Sequence, residues 1–331
     1  MSGQRKVAVV TGASAGVGRA VVREYARAGY DVGLIARGVD GLAAAQREVE
    51  ALGGRAHAVP TDVADADAVE RAAAEIEAAL GPIEVWTNVA FSSVFAEFVE
   101  LTPAEYRRIT EVSYLGYVWG TQAALRRMLP RDRGTIVQVG SALAYRSIPL
   151  QAAYCGAKSA IRGFTDSIRC ELYHRRSKVR ITMAILPAVN TPQFSWLRNK
   201  LPRKAQPVPP IYQPEVIARG VVWLAEHRRR ELVIGWSALQ ALVGQILAPG
   251  YTDRYLGRTG YASQQYDGGD PPGRPDNLER PLPGDWGAHG AFDDRARTTS
   301  SQLWLSTHRA TAGIACAAAL VAVLATARRR G

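Results

Sequence analysis

The stretch Thr11-Gly12-Ala13-Ser14-Ala15-Gly16-Val17-Gly18 directly follows the apolar run Val7–Val10 and opens an Ala-rich segment. A strand, a glycine-rich turn and a helix in this order form the phosphate-binding unit of dinucleotide folds. Gly12 permits the tight turn, Gly16 lets the backbone approach a pyrophosphate, and Gly18 allows the helix to pack closely on the strand. The phosphates then meet the free N–H groups at the positive end of the helix. The stretch therefore predicts a dinucleotide site.

Short β-branched runs alternate with longer Ala-rich stretches along residues 1–249. This alternation predicts right-handed β-α-β crossovers and a parallel sheet with helices on both faces. The expected fold class is α/β, a Rossmann-type doubly wound parallel sheet in a single catalytic domain. The predicted strands are Val7–Val10, Val32–Ala36, His57–Val59, Ile83–Asn88, Thr135–Gly140, Val179–Leu186 and Leu232–Ile234. The predicted helices are Val17–Ala28, Leu42–Leu52, Ala66–Leu80, Pro103–Leu129, Ala152–Arg175, Glu215–Glu226 and Ser237–Leu247.

Composition excludes several classes of protein. The 331-residue chain is 47% apolar, which is too much for a disordered chain. Its three cysteines include no C-x-x-C pair and its five histidines show no ligand spacing, which argues against a disulfide scaffold and a zinc site. The apolar run near the amino terminus is too short for a signal peptide. We expect a reduced, cytoplasmic catalytic domain that holds no metal.

The chain is basic, with 41 Lys and Arg against 30 Asp and Glu, a net charge of +11. This excess fits nucleic acid, an anionic membrane surface, an acidic ligand or simply a solvated basic surface. No known nucleic-acid motif accompanies the arginine clusters. We expect the solvated surface and no nucleic-acid partner.

Four further motifs follow the glycine loop, whose spacing is G-x-x-x-G-x-G. Asp62-Val63 comes after the third predicted strand, Asn88-Val89-Ala90 ends the fourth, and Ser141 follows the fifth. Tyr154-Cys155-Gly156-Ala157-Lys158 then supplies a Y-x-x-x-K motif. Together these residues resemble the short-chain dehydrogenase/reductase family from residue 5 to about residue 190.

The resemblance implies an oxidoreductase that binds a nicotinamide dinucleotide and assembles as a homo-oligomer. It implies that Ser141, Tyr154 and Lys158 are catalytic. It also implies cofactor contacts from Tyr154 and Lys158 and from Gly12, Ser14, Gly16, Val17, Gly18, Asp62, Val63 and Asn88.

The end of the second predicted strand indicates which cofactor is used. Folds that use NAD place a carboxylate here for the ribose 2′-hydroxyl, whereas an arginine accommodates a 2′-phosphate. In this chain Ala36 is followed by Arg37, and the nearest acid, Asp40, lies further along. A guanidinium can grip a phosphate with two N–H groups and stack on the adenine. We therefore expect NADP(H).

Tyr154 is the expected proton donor. Its ordinary pKa of about 10 must fall by about 3 units for catalysis near neutral pH. Lys158 lies one helical turn further on, where its ammonium favours the phenolate. The resemblance implies that Lys158 also binds the nicotinamide ribose. Ser141 is expected to hydrogen-bond the substrate oxygen, on which charge develops as hydride arrives.

Two positions depart from the pattern of the family. Ser113 stands where many members have an asparagine that holds a proton-relay water, and a hydroxyl lacks the paired amide donor and acceptor. The segment from Pro187 to Pro192 is one residue shorter than the motif common in the family, and we expect Thr191 still to approach the nicotinamide or a phosphate. We retain Ser113 as a candidate catalytic residue and Thr191 as a candidate cofactor ligand.

Substrate recognition in the resembling family usually lies after that motif, here in residues 193–212. This segment combines apolar side chains with four basic ones, and it predicts either a lid over a lipophilic substrate or an amphipathic segment packed on the core. Phe91, Phe95 and Phe98 either line the same pocket or pack in the core. The leading hypothesis is an NADP(H)-dependent enzyme acting on a lipophilic carbonyl or alcohol. The alternatives are an NADP-binding sensor without turnover and a membrane-tethered interaction protein.

The carboxyl-terminal part differs from the catalytic domain. Residues 251–302 contain eight Gly and five Pro, which predicts an extended tail over 250–302 lying loosely on the core or free of it. Residues 303–331 then include Ala310–Ala327, 18 residues without a charge, which as a helix would measure about 27 Å. We favour membrane association of this segment; an Ala-rich helix docked on the protein or on a partner is the alternative.

Overall fold

A seven-stranded sheet, parallel throughout, is the centre of the computed structural model, which describes residues 5–271 and 273–311. In chain order its strands are β1 (Val7–Thr11), β2 (Asp31–Ala36), β3 (Ala56–Pro60), β4 (Ile83–Asn88), β5 (Thr135–Ser141), β6 (Arg180–Leu186) and β7 (Glu231–Val233). In space the order is β7-β6-β5-β4-β1-β2-β3. The chain therefore winds from the centre to one edge and then to the other, which confirms the predicted doubly wound sheet.

Helices cover both faces of this sheet. They are α1 (Gly16–Arg27), α2 (Val39–Ala51), α3 (Ala66–Leu80), α4 (Pro103–Thr110), α5 (Gly116–Met128), α6 (Ala152–His174), α7 (Gln193–Trp196), α8 (Pro214–Glu226), α9 (Trp236–Leu247), α10 (Pro249–Ser263) and α11 (Ser301–Thr307). Helices α1, α2 and α8 pack on one face, and α3, α5 and α6 pack on the other. Shorter strands pair outside the main sheet: Val94–Phe95 with Arg198–Asn199, Arg203–Ala205 with Gln265–Gly269, and Ile211–Tyr212 with both Ala188–Val189 and Ala296–Arg297.

The first strand shows why short apolar runs mark this sheet. Side chains alternate between faces along a strand, so Ala8 and Val10 join one core cluster while Val7 and Val9 join the other. Because both faces are covered, every residue of β1 is buried and none is required to be polar.

One predicted helix is divided in the structure. Residues 103–129, predicted as a single helix, form α4 and α5 joined by a π-helical turn at Glu111–Leu115. Such a turn accommodates one extra residue in the helix and is frequent at functional sites. Ser113 lies in this turn.

A buried polar network joins β4, β5 and α5. The Asn88 side chain accepts a hydrogen bond from the Trp86 indole at 2.8 Å and donates to Gln138 Oε1 at 2.9 Å and to Thr121 Oγ1 at 3.2 Å. Asn88 is fully buried and lines neither of the two cavities described below. Its side chain therefore holds the sheet to α5 and does not face the predicted cofactor site.

The Gly- and Pro-rich region is not the loosely attached tail expected from its composition. It begins with α10 and with the strand Gln265–Gly269, which pairs with Arg203–Ala205. Residues 276–293, here called the strap, then run across the carboxyl edge of the sheet, and Leu278 and Phe292 in it are buried. Backbone carbonyls and N–H groups make many of its contacts, and composition does not reveal these.

The predicted membrane segment at 310–327 lies outside the described residues from residue 312 onward. Among residues 5–271 and 273–311, no helix has the length and apolar character needed to cross a bilayer.

Asn88→Leu should lower the free energy of unfolding by roughly 2–4 kcal/mol, because it leaves the buried Trp86 N–H and Gln138 Oε1 without partners. Urea denaturation of the variant and the wild type measures this difference. A loss below about 0.5 kcal/mol would show that the network does not hold the sheet to α5.

Candidate active site

The glycine loop forms one wall of a cavity at the carboxyl ends of β1, β2 and β4. Gly12 and Gly16 have φ angles of +69° and +57°, a region that favours glycine. A Cβ on Gly18 would collide with the carbonyl oxygen of Gly12, so helix α1 can start here only with glycine at this position. The cavity is lined by nine of the predicted cofactor residues: Gly12, Ser14, Gly16, Val17, Gly18, Arg37, Asp62, Val63 and Thr191.

Polar groups suited to a ligand face this cavity. The hydroxyls of Ser92 and Ser93 are buried on its wall and have no partner among the described residues. A buried hydroxyl without a partner is costly, so these two groups favour a polar ligand at this position. The start of α1 also faces this cavity, with the Gly16 N–H bound to the Gly287 carbonyl at 2.9 Å, and its positive end together with the two hydroxyls fits a dinucleotide.

Two arginines lie at the adenosine end predicted for this cavity. Arg108 binds the Asp62 carboxylate at 2.5 Å, and Asp62 also accepts from the Ala64 N–H at 3.1 Å. Arg37 donates to the backbone carbonyls of three residues of the strap, namely Asn277, Leu278 and Glu279. Burial lowers the pKa of Arg37 from its ordinary value, but an arginine side chain remains charged at physiological pH.

A second cavity of about 570 Å³ adjoins the first. Ser141, Tyr154 and Lys158 lie on its wall, so the structure brings the three predicted catalytic residues together. The two cavities share several lining residues, which are Val17, Val89, Phe91, Ser93, Thr191 and Gln193. A ligand that extends along the glycine loop therefore ends beside Tyr154.

Lys158 lies on this wall but is almost completely buried. Its Nζ donates to the Tyr117 hydroxyl at 2.9 Å and to the Val139 carbonyl at 2.8 Å. Burial lowers the pKa of Lys158 to about 7. Tyr117 was not a predicted site residue, and its phenol in turn donates to the Val139 carbonyl at 3.0 Å.

Tyr154 differs from the sequence-based expectation in one respect. Burial, and secondly the nearby Cys155 thiol group, raise its pKa, while a hydrogen bond with Ser141 lowers it in part. The Lys158 Nζ lies 5.6 Å from the centre of the Tyr154 ring, and its hydrogen bonds go to Tyr117 and Val139. The expected fall in the pKa of Tyr154 therefore does not arise from Lys158 as it lies in this structure, and the phenol keeps its proton.

Ser113 is buried and faces the backbone of the loop after β4. Its hydroxyl donates to the Ser92 carbonyl at 2.8 Å and accepts from the Ser92 N–H at 2.9 Å. One hydroxyl thus supplies the paired donor and acceptor that we expected only from an amide. Ser113 lines neither cavity, so its contacts fix the π-helical turn beside the site.

Comparison with known proteins agrees with this geometry. The profile of the short chain dehydrogenases matches residues 6–201, more than half of the chain. The protein belongs to the short-chain dehydrogenase family. The resemblance drawn from the glycine loop and the Y-x-x-x-K motif is therefore confirmed.

Relatives of this short-chain dehydrogenase extend beyond the matched region. The uncharacterized oxidoreductase YxnA of Bacillus subtilis is 31% identical over 261 residues, which cover 78% of this chain and 73% of that protein. The 3-dehydrosphinganine reductase of Danio rerio is 30% identical over 222 residues, covering 65% and 66% of the two chains. The crystal structure of a metagenomic short-chain oxidoreductase in complex with NADP is 29% identical, with a TM-score of 0.59, and the match covers 69% of this chain and 96% of that one.

The second cavity of this short-chain dehydrogenase is largely apolar. Phe91, Phe95 and Phe194 line it, whereas Phe98 is exposed and packs edge-to-face on Tyr106. Sequence reasoning missed the wall that α9 and α10 contribute, because these helices follow the last strand of the core. The residues of that wall include Ala238, Ala241, Tyr251, Tyr255 and Leu256.

The basic side chains of residues 198–203 are paired with acids of the same chain. Arg198 and Lys200 both bind the carboxylate of Glu105, at 3.2 and 2.8 Å, and Arg198 also binds Asp276 at 2.8 Å. These pairs hold the pKa of Glu105 at about 2 against the opposing effect of burial. The segment is thus fixed to α4 and to the strap by ion pairs.

Lys158→Met should raise the melting temperature, and the gain should be largest below a pH of about 7. There both folded and unfolded chains carry a charged lysine, and the full cost of burying that charge opposes folding. Between pH 7 and 10.5 the folded chain loses this proton before the unfolded chain does, so wild-type stability rises with pH and the gain shrinks.

Thermal denaturation of both proteins from pH 6 to pH 10 measures this trend. The control is Lys178→Met, at a side chain that is 79% exposed, and it should show no such pH dependence. A gain that grows with pH would contradict the buried-charge explanation.

Proposed function

We propose that this short-chain dehydrogenase is an NADP(H)-dependent oxidoreductase that interconverts a lipophilic carbonyl compound and the corresponding alcohol. The main observation in support is that the two cavities meet at Val89, Phe91 and Thr191. The Tyr154 phenol lies on the wall of the second cavity. A nicotinamide bound along the glycine loop would reach this junction, where a substrate in the apolar cavity would meet it.

Bound NADP(H) would supply or accept the hydride at the substrate carbon. In the reducing direction the buried Tyr154 phenol, which is protonated, gives its proton to the substrate oxygen. Ser141 Oγ accepts from the Leu143 N–H at 3.1 Å and is hydrogen-bonded to the Tyr154 phenol, which fixes the hydroxyl beside the position proposed for the substrate oxygen. Lys158 is held beside this phenol by the Tyr117 hydroxyl and the Val139 carbonyl.

Arg37 supports the choice of NADP(H). Its guanidinium has five N–H donors, and the three strap carbonyls occupy three of them, so two remain for a 2′-phosphate. The NADP in the complex of the metagenomic oxidoreductase agrees with this choice.

The apolar cavity supports a lipophilic substrate. Aromatic and aliphatic side chains from three separate segments surround it, and among the residues that the structure describes its only charged ones are Lys158 and Arg146. Arg146 is bound to Gln245 and Asp253, both at 2.7 Å, so it does not call for an acidic substrate. The relative from Danio rerio bears the name 3-dehydrosphinganine reductase, which agrees with a reductase reaction.

The two alternative functions have less support. A sensor without turnover was suggested by Ser113 and by the altered segment from Pro187 to Pro192, neither of which removes Ser141, Tyr154 or Lys158 from the second cavity. A membrane-tethered interaction protein depends on residues 310–327, which lie almost entirely outside the described part. Membrane association and homo-oligomer formation both stay predictions.

Tyr154→Phe should lower kcat/KM for NADPH-dependent reduction of a lipophilic ketone by roughly 100-fold or more, because it removes the proton donor. Binding of NADPH should change little. NADPH oxidation and NADPH titration by fluorescence measure the two effects. Tyr173→Phe, on the same helix but 75% exposed, is the matched control. Equal turnover by Tyr154→Phe and the control would reject the assignment of the acid.

Arg37→Gln should weaken NADPH binding by roughly 10- to 100-fold and should reduce the preference for NADPH over NADH, since a charge-assisted contact to the 2′-phosphate is lost. Titration of both cofactors measures this ratio. If the binding of NADPH and the binding of NADH are weakened equally, Arg37 only supports the strap and does not bind the 2′-phosphate.

A further inference from the structure

The strap, residues 276–293, follows the cavity of the glycine loop from one end to the other. At the adenosine end, Arg37 and Arg108 donate to its backbone carbonyls, and both reach that of Leu278, at 3.2 and 3.1 Å. The Leu278 side chain is fully buried in a core cluster with Val94 and Ile109. This end of the strap is therefore fixed both by charge and by packing.

The middle of the strap is bound to the start of the first two helices. The Asp40 carboxylate accepts from the Gly284 N–H at 2.7 Å, and the Gly287 carbonyl accepts from the Gly16 N–H at 2.9 Å. Asp285 receives a weaker bond of 3.3 Å from Arg19. Arg19 is buried and also donates to carbonyls of the glycine loop and of α2, so it joins all three segments.

The last part of the strap lies at the nicotinamide end. Asn190 Oδ1 accepts from the Phe292 N–H at 3.1 Å, and Asn190 Nδ2 donates to Asp293 at 2.8 Å. A Cβ on Gly290 would collide with the carbonyl oxygen of Thr191, so the backbones touch here. Thr191 lines both cavities, and the strap thus reaches the junction where the two meet.

Space remains between the strap and the glycine loop. Asn277, Pro281, Leu282, Gly284 and Trp286 of the strap line the same cavity as the loop, on the opposite side. Trp286 packs edge-to-face on Trp196, with ring centres 5.1 Å apart. The strap therefore forms the outer wall of the cavity and does not fill it.

Neither end of the strap is free. Before it, the strand Gln265–Gly269 is paired with Arg203–Ala205, and after it, the buried Leu303 of α11 packs on the core. The strap is therefore anchored on both sides of the part that lines the cavity.

We propose that the strap is the second half of the dinucleotide site and encloses a bound NADP(H) against the glycine loop. This inference rests on the function proposed above. The enclosed dinucleotide is held on two sides, so its release is limited by opening of the strap. Trp286 is the main side chain through which the strap touches the nucleotide.

The test measures the dissociation rate of NADPH by stopped-flow displacement with excess NADP⁺, using full-length protein. Trp286→Ala should raise this rate by about tenfold, the effect of losing one aromatic contact. Trp304→Ala, at an exposed tryptophan of α11, is the matched control and should leave the rate unchanged.

A second variant loosens the strap without altering the cavity. Asp40 is exposed and does not line the cavity, and Asp40→Ala removes only the acceptor of the Gly284 N–H bond. This variant should also release NADPH several-fold faster. In the wild type, hydrogen–deuterium exchange of peptides from 276–293 should slow when NADPH is added.

The outcomes separate the two proposals. If wild-type protein does not bind NADPH, the proposed function fails and this inference fails with it. If NADPH binds but both variants release it at the wild-type rate, the strap is not part of the site. If NADPH binds more tightly to the variants and speeds exchange in the strap, the strap competes with the nucleotide, which also overturns the inference.

Discussion

Close backbone packing at the start of helix α1 is the constraint on which the rest of the structure depends. The glycines of the loop let α1 begin directly against the end of β1, within contact distance of Ala90 after β4 and of Thr191 after β6. Any larger residue at Gly18 would push the helix away from the sheet. The start of α1, the hydroxyls after β4 and the threonine after β6 converge on one cavity only because these three strand ends lie so close together.

The buried lysine shows how the chain combines stability with chemistry. Burying the Lys158 amine costs free energy. The Tyr117 phenol and the Val139 carbonyl offset part of this cost by accepting its hydrogen bonds. The same burial brings the pKa of Lys158 to about 7, far below the ordinary value for lysine. Groups with strongly perturbed pKa values cluster at functional sites, and this one lies one helical turn from the proposed proton donor.

The sheet, and the meeting of the proposed catalytic residues at one cavity, were predictable because each leaves a local pattern. Strand ends in the main sheet lie within a few residues of those predicted from β-branched runs, and Tyr154 and Lys158 share a helical face. Asn88 was misassigned, because its motif does not reveal that its amide turns inward to Trp86 and Gln138. The pairing of Lys158 with Tyr117, 41 residues apart, has no sequence signal at all.

The strap was the largest difference from expectation, and the reason is physical. Arg37, Arg108 and Gly16 bind it through backbone carbonyls, which every residue carries. A Gly- and Pro-rich composition correctly argues against a long helix or a central strand at 276–293, but it does not distinguish a free chain from one fixed by another segment. Whether this segment is free or fixed depends on side chains more than 150 residues away in the sequence, such as those of Arg37 and Arg108.

The sheet and the α9–α10 pair contribute different parts of the second cavity, and this separation affects how substitutions can change the protein. The groups proposed to handle the proton lie on β5 and α6, whereas α9 and α10, which follow the last strand, supply much of the apolar wall of the second cavity. Replacing residues on α9 and α10 therefore changes the shape of the second cavity, while Ser141, Tyr154 and Lys158 stay in place. Substitutions in the α9–α10 pair can therefore change which substrates fit the cavity, while the residues proposed for catalysis stay the same.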